Sequence, residues 1–241
     1  MIAEPVMGAG GVIVPPKGYY AKIQAVLKKY DMLFCADEVI CGFGRTGNVW
    51  GSQTMGITPD ILTCAKALSA SFLPISAVMI NEKVYQALMM ESDKIGTFGH
   101  GFTYSGHPVA AAVALEAQKI YDETDLFGHA KRMSPIFTKH IQSFADHPLV
   151  GEAMSIGMMG AIEIVADKKT KASFETTVGA GLKVATHAQA LGLFVRNMGD
   201  RVAICPPLII NETELDDLFG RLHKSFDLAL TDLKSGGHFK G

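Results

Sequence analysis

Apolar runs of strand length recur along the first part of the chain, at residues 1–6 (MIAEPV), 32–37 (MLFCAD), 60–65 (DILTCA) and 75–80 (ISAVMI). Continuous rather than alternating apolar character predicts strands covered on both faces, as in a largely parallel sheet. Between them YYAKIQAVLKKY has helical spacing that places Ile23, Val26, Leu27 and Tyr30 on one face. NEKVYQALMME opens on an asparagine cap and predicts a helix, and HPVAAAVALEAQKIYDE predicts a longer, alanine-rich one. The segment MGAGGVIVPPKG reads as a loop after the first strand.

The texture changes after about Thr124. Helical patterns near 125–144 and 177–190 alternate with strand candidates MMGAIEIV, LFVRNM and RVAICP. A last helix starts in NETELDDLFGRLHKSFDLAL, where Asn211 or Thr213 can cap and Glu214 lies in the acidic first turn. This predicts an α/β chain with a sheet domain over residues 1–123 and a smaller α+β domain over 124–241. The tail KSGGHFKG is expected to be disordered. The first residues already read as a buried strand with no polar lead-in, so the chain is expected to be the later part of something longer.

With 241 residues, 48% hydrophobic and 19% charged, the chain can bury a substantial core. A net charge of −2 gives no electrostatic case for nucleic acid. No apolar stretch reaches the roughly 18 residues of a membrane span, and the start of the chain lacks a signal-peptide pattern. Cys35, Cys41, Cys64 and Cys205 form no CxxC pair, which predicts reduced cysteines of a cytoplasmic protein rather than a zinc site or a disulfide.

The candidate chemistry sits at strand ends. Asp37 follows MLFCA and Lys66 follows ILTCA, and in open α/β sheets the carboxyl ends of strands carry the binding crevice. Small and apolar neighbours of Lys66 (Cys64, Ala65, Ala67, Leu68) imply burial, which disfavours the ammonium form and makes a usable nucleophile. A direct Asp37–Lys66 ion pair, or a lysine reaching out to solvent, explains the same residues without chemistry. GFGRTG between them lacks both the Walker and the dinucleotide patterns and reads as a tight turn. GTFGHGFTYSGHP, at 96–108, sets hydroxyls and backbone amides ahead of a helix, where they either hold a phosphate or cap the helix.

Taken together, AEPVMGAGG, ADEVICGFGRTG, TPDILTCAKALS, HGFTYSGHP and CPPLII stand in the order and spacing of class III aminotransferases, which the chain resembles over nearly its whole length. The resemblance is nearest to the branch acting on ω-amino acids and amines with pyruvate. It implies the fold of the aspartate-aminotransferase type (fold type I), pyridoxal 5′-phosphate as cofactor, and a homodimer with shared active sites. It also implies that these residues correspond to the second half of such an enzyme, after the segment that carries the phosphate cup.

By the same resemblance, Lys66 matches the lysine that forms the internal aldimine and then moves a proton as general acid and base. Asp37 matches the carboxylate on the pyridine nitrogen, and Val39 the apolar side chain on the ring face. Thr103 matches the hydroxyl that reaches the phosphate of the neighbouring subunit. Arg196 matches a mobile arginine for the substrate carboxylate, and Glu4, in the EP motif, lies toward the substrate. No metal is implied. Ala203 stands where ornithine- and GABA-type relatives carry arginine, which argues against those two assignments. Met154 and Ser155 replace a usual Arg-Gly pair, implying a lost ion pair and glycine turn. The activity expected is amino transfer from an ω-amino acid or primary amine to a keto acid such as pyruvate. Two alternatives remain: another reaction of the cofactor (aminomutase, racemase or decarboxylase), or a truncated, non-catalytic piece.

Overall fold

The computed structural model describes residues 1–239. Two compact units form: Met1–Val6 with Pro15–Phe127, and Met7–Val14 with the chain from Gly128 onward. The excursion of residues 7–14 into the later unit lies outside any contiguous division near 123/124.

The first unit holds a four-stranded sheet in chain order, β1 (Ile2–Ala3), β2 (Cys35–Asp37), β3 (Ile61–Cys64) and β4 (Ala77–Ile80). The first three strands run parallel, and β4 is antiparallel to β3. The strands are shorter than the apolar runs that announce them, since Met32 and Leu33 are exposed and only Ile2 and Ala3 pair in the first run. Strand β4 also departs from the buried parallel strand expected. Val78 and Met79, on opposite faces of the pleat, are 64% and 42% exposed, so this chain covers neither side of that edge.

Helix α1 (Tyr19–Lys29) buries Tyr20 and Leu27, with Ile23 partly covered. The contact face is therefore rotated from the predicted one, and Val26 and Tyr30 face solvent. Tyr20 stacks on Phe34 at 6.0 Å, an aromatic anchor that outweighs the aliphatic Val26. A five-residue helix α2 (Gly51–Met55) follows the glycine-rich turn. Helix α3 (Glu82–Ile95) starts, as predicted, on Asn81, whose side chain accepts from Val84 N–H at 3.0 Å. Helix α4 (Pro108–Glu123) opens on a proline, where the missing N–H costs nothing.

The second unit is built on an antiparallel sheet in the order β5-β6-β8-β7, with β5 at Val150–Ile156, β6 at Met159–Ile164, β7 at Arg196–Met198 and β8 at Arg201–Ile204. Strand β5 went unrecognised because its sequence, VGEAMSI, mixes polar and apolar residues with no clear period. Helices α5 (Leu126–Gln142), α6 (Ala180–Ala190) and α7 (Glu212–Ser235) supply the rest of the core. Ile162, Ile164, Val202 and Ile204 share one sheet face and join Phe137, Phe219, Phe226 and Leu222 in one buried cluster. Asn211 and Glu214 form a reciprocal capping box at the start of α7. One expectation is corrected here: Phe239 is 7% exposed and packs near Phe174, so the tail is ordered that far, while residues 240–241 lie outside the described residues. Met154 and Ser155 lie within β5, and Ser155 Oγ donates to Thr138 Oγ1 at 3.0 Å.

Candidate active site

Asp37 is the last residue of β2 and pairs with Thr63 of the parallel neighbour β3. Lys66 follows three residues later, opening a 3-10 turn, Lys66–Ser69. Both therefore leave the sheet at the same, carboxyl end of adjacent parallel strands. Asp37 is half-buried, and Val39 N–H donates to its Oδ1 at 3.0 Å. That local bond fixes the carboxylate through Oδ1, and no other hydrogen bond or ion pair to Asp37 is found among the described residues.

No ion pair joins Asp37 and Lys66 among the described residues, so of the two non-chemical accounts the direct pair fails, while the lysine reaching out to solvent matches its exposure. The expected burial of Lys66 is not met by this chain: Cys64 is buried, but the lysine side chain is exposed. It stands past the end of β3, where none of these residues covers it. Its backbone is in the left-handed region at φ 46°, as are Ala70 at 49° and Ser71 at 64°. Such conformations cost non-glycine residues of order 1–3 kcal/mol each and persist only where neighbours hold them.

Glu38 is the fully buried carboxylate of the pair, at 0% exposure. Its two oxygens accept Gly51 N–H at 2.8 Å and Ser52 N–H at 2.6 Å, pinning the far end of the glycine-rich turn to the strand. Burial pushes its carboxyl up, and the Ser52 and Gly51 hydrogen bonds oppose the shift. Gly51 must be glycine, because a Cβ there would come within 2.6 Å of Cys41 Cβ and 3.0 Å of Glu38 Oε2. Sequence reasoning gave Glu38 no role; the signal was an acid directly after a buried strand with a short helix start some thirteen residues on.

The remaining candidates are dispersed. Glu4 is half-buried just past β1, and its carbonyl accepts from the Tyr20 hydroxyl. Val39 is half-buried beside Asp37, and Thr103 lies in an exposed loop with Phe102 and Tyr104, 78% and 80% exposed. Arg196, in the second unit, is the exposed first residue of β7 and sits directly across from Ala203 of β8. Ala203 in turn faces Ala161 of β6, so small side chains flank the arginine on its sheet face. A groove of about 590 Å³ in the first unit, lined by residues including Ile80, Tyr85, Met89 and Phe98, takes no lining from Asp37 or Lys66. Among the described residues no three His, Cys, Asp or Glu side chains gather as metal ligands would. Cys41 and Cys64 are buried thiols, Cys35 is half-buried and Cys205 is exposed, and all four are free of disulfides. No helix among the described residues is long and apolar enough to cross a membrane.

Strand-end Asp37 and Lys66 on a mixed sheet, followed by an α+β unit, agree with the fold-type-I pyridoxal-phosphate transferase architecture of the family and solved structures that the chain matches. The family model for aminotransferase class III matches residues 1–226, and the chain belongs to that family. A mitochondrial gamma-aminobutyrate transaminase 1 of Solanum lycopersicum is 46% identical over 237 residues, covering 97% of this chain and 46% of the relative. A solved transaminase structure with L-alanine is 52% identical with a TM-score of 0.94, over 96% of this chain and 55% of that one. An omega transaminase from Pseudomonas jessenii, solved in complex with PMP, is 50% identical with a TM-score of 0.91, over 98% of this chain and 52% of that one. The chain thus spans about half the length of the relatives it matches.

Proposed function

We propose that these residues serve a pyridoxal-phosphate-dependent aminotransferase that moves an amino group from an ω-amino acid or primary amine to a keto acid such as pyruvate. The observation that carries the reading is the placement of Asp37 and Lys66 at the same end of adjacent parallel strands without pairing to each other. The residues present fit the cofactor in kind: a half-buried carboxylate, an exposed amine, and the half-buried apolar Val39 bonded through its N–H to that carboxylate.

Pyridoxal phosphate, when bound, supplies the aromatic ring that accepts electrons as a proton leaves the carbon next to nitrogen. Asp37 keeps the ring nitrogen protonated by holding a negative charge beside it. Lys66 would hold the cofactor through Nζ, and its amine would serve as the proton-moving acid and base there. Val39 would pack on the ring, and Thr103 would contribute a hydroxyl to the phosphate held by the other subunit of a homodimer. Arg196 receives a substrate carboxylate through a bidentate fork and turns aside for plain amines, with room left by Ala203 and Ala161. Glu4 lines the substrate side. Residues 1–123 form part of the large cofactor-binding domain, and residues 124–241 the small domain.

The name of the tomato relative favours a four-carbon ω-amino acid as donor, whereas Ala203 in place of arginine favours the broader amine range. A cytoplasmic setting completes the reading and is supported by four cysteines outside any disulfide, although plant relatives are named as mitochondrial and chloroplastic. The test is to supply an amine donor and pyruvate to purified protein and measure alanine formed against amine consumed. One-to-one transfer supports the aminotransferase reading. Loss of carbon dioxide, racemised donor or an isomerised amino acid would replace it with another reaction of the same cofactor. A chain that loses the cofactor in gel filtration and forms no alanine would favour the non-catalytic alternative.

A further inference from the structure

The strained turn that presents Lys66 is held from one side by helix α4. Tyr121 is buried at 9% exposure, and its hydroxyl donates to the carbonyl of Ala67 at 2.8 Å. One turn earlier on the same helix, Gln118 Nε2 donates to the carbonyl of Leu68 at 3.0 Å. Residues 118 and 121 are three apart and so share a helix face. Two consecutive carbonyls directly after Lys66 are thereby tied to one rigid element. Within the turn, Ser71 N–H returns to the carbonyl of Lys66 at 3.1 Å and Ala70 N–H to that of Ala67 at 3.3 Å. Burial pushes the Tyr121 phenol up, which keeps it a hydrogen-bond donor, and the Ala70 backbone amide faces it.

Three left-handed non-glycine residues within six positions would relax to ordinary backbone if the chain were released, because each is strained. Nothing in the local sequence, KALSAS, supplies a glycine or asparagine to make that conformation cheap. The restraint has to come from elsewhere in the fold, and α4 provides it at two points.

We propose that Tyr121 and Gln118 are positioning residues for Lys66, holding its turn in the strained form that sets the direction and reach of the amine. This rests on the reading of Lys66 as the cofactor-bearing lysine, and the role of α4 is one of geometry only, since neither side chain reaches the reacting atoms. Tyr121→Phe removes a single hydroxyl from a buried ring, and Gln118→Met keeps length while deleting the donor.

The test uses the purified chain and its Tyr121→Phe, Gln118→Met and double variants, with two readouts. The first is backbone amide exchange without added cofactor. Amides of Ala70 and Ser71 are expected to exchange roughly tenfold faster in the double variant, from the loss of two hydrogen bonds, with α7 unchanged. The second is capture of pyridoxal phosphate at Lys66: the amine adds to the aldehyde carbon with loss of water, borohydride supplies the hydride that fixes the bond, and peptide mass counts the product. Capture at Lys66 is expected to fall by about tenfold and its pH profile to move, while capture at the surface lysines Lys28 and Lys131 stays level. Unchanged exchange at Ala70 and Ser71 overturns the proposal, and so does faster exchange with unchanged capture, which would make the tethers merely structural. A parent chain that takes no pyridoxal phosphate at Lys66 overturns the cofactor reading itself, and the exchange result then still decides whether α4 holds the turn.

Discussion

At the scale of single residues, two adjacent acids divide two tasks. Glu38 is buried and satisfied by two backbone N–H groups, whereas Asp37 is half-covered and accepts one local backbone N–H through Oδ1. Replacing Glu38 with Ala strands two buried donors and should cost about 3 kcal/mol, read as a lowered urea midpoint. Glu38→Gln, which keeps one acceptor and loses the buried charge, should cost less. Equal losses for the two variants would contradict the capping role. His147 works through pH. Its ring accepts Leu149 N–H at Nδ1 over 3.2 Å, and burial pulls its pKa below the usual 6.5 even though Asp227 lies 3.5 Å from Nε2. A lowered folded pKa means that its stabilising share is fully present above pH 6.5 and is lost as pH falls through that value toward the folded one. Asparagine at 147 can still accept the N–H without titrating, so His147→Asn should flatten the fall in urea midpoint between pH 7 and pH 5. A fall of unchanged size would remove His147 as its source. Glu38 acts in the other sense and in a lower window: its raised carboxyl gives stability below about pH 4.5 that fades as pH rises.

At the scale of elements, the hairpin that carries Arg196 depends on a glycine outside it. A Cβ on Gly181 would meet the carbonyl oxygen of Gly199 at 2.1 Å, and Gly181 N–H donates to Asp200 Oδ1 at 2.9 Å. Gly181→Ala therefore has to push α6 away from the β7–β8 turn, at a cost of about 3 kcal/mol. Because the turn closes the short strand β7 two residues past Arg196, the same change should raise KM for carboxylate-bearing donors more than for plain amines. Equal effects on both would separate the turn from substrate binding. Strong local signals were readable from sequence: the Asn81 and Asn211 caps, the alanine-rich α4, and the apolar β3 run all mark real elements. Strand β5 and the rotated face of α1 were not, because cross-strand partners and the Tyr20–Phe34 stack decide them and both are non-local. The placement of Lys66 and Asp37 was legible because each ends an apolar run. The strained turn and its tethers from Tyr121 and Gln118 were not, since fifty residues or more separate the partners.

At the scale of the whole molecule, the two units differ in how completely they close. The second unit has one continuous core in which Phe137, Phe144, Phe219 and Phe226 are fully or almost fully buried. Phe137→Ala should cost roughly 3–5 kcal/mol, enough to unfold that unit at moderate urea, as a loss of near-ultraviolet circular dichroism would report. In the first unit β4 is open on both faces and α3 buries no residue, so its sheet carries apolar surface that these residues leave uncovered. The relatives the chain matches are about twice as long.

The central claim is that Lys66 holds pyridoxal phosphate with Asp37 on the ring nitrogen. Its most direct test is the visible spectrum of the chain mixed with pyridoxal phosphate, before and after an amine donor, alongside Lys66→Ala and Asp37→Asn. The account predicts a visible cofactor band that the donor bleaches in the parent, that is missing from Lys66→Ala, and that survives in Asp37→Asn with bleaching slowed by about a hundredfold or more. A band of equal strength in Lys66→Ala, or bleaching in Asp37→Asn as fast as in the parent, would contradict it.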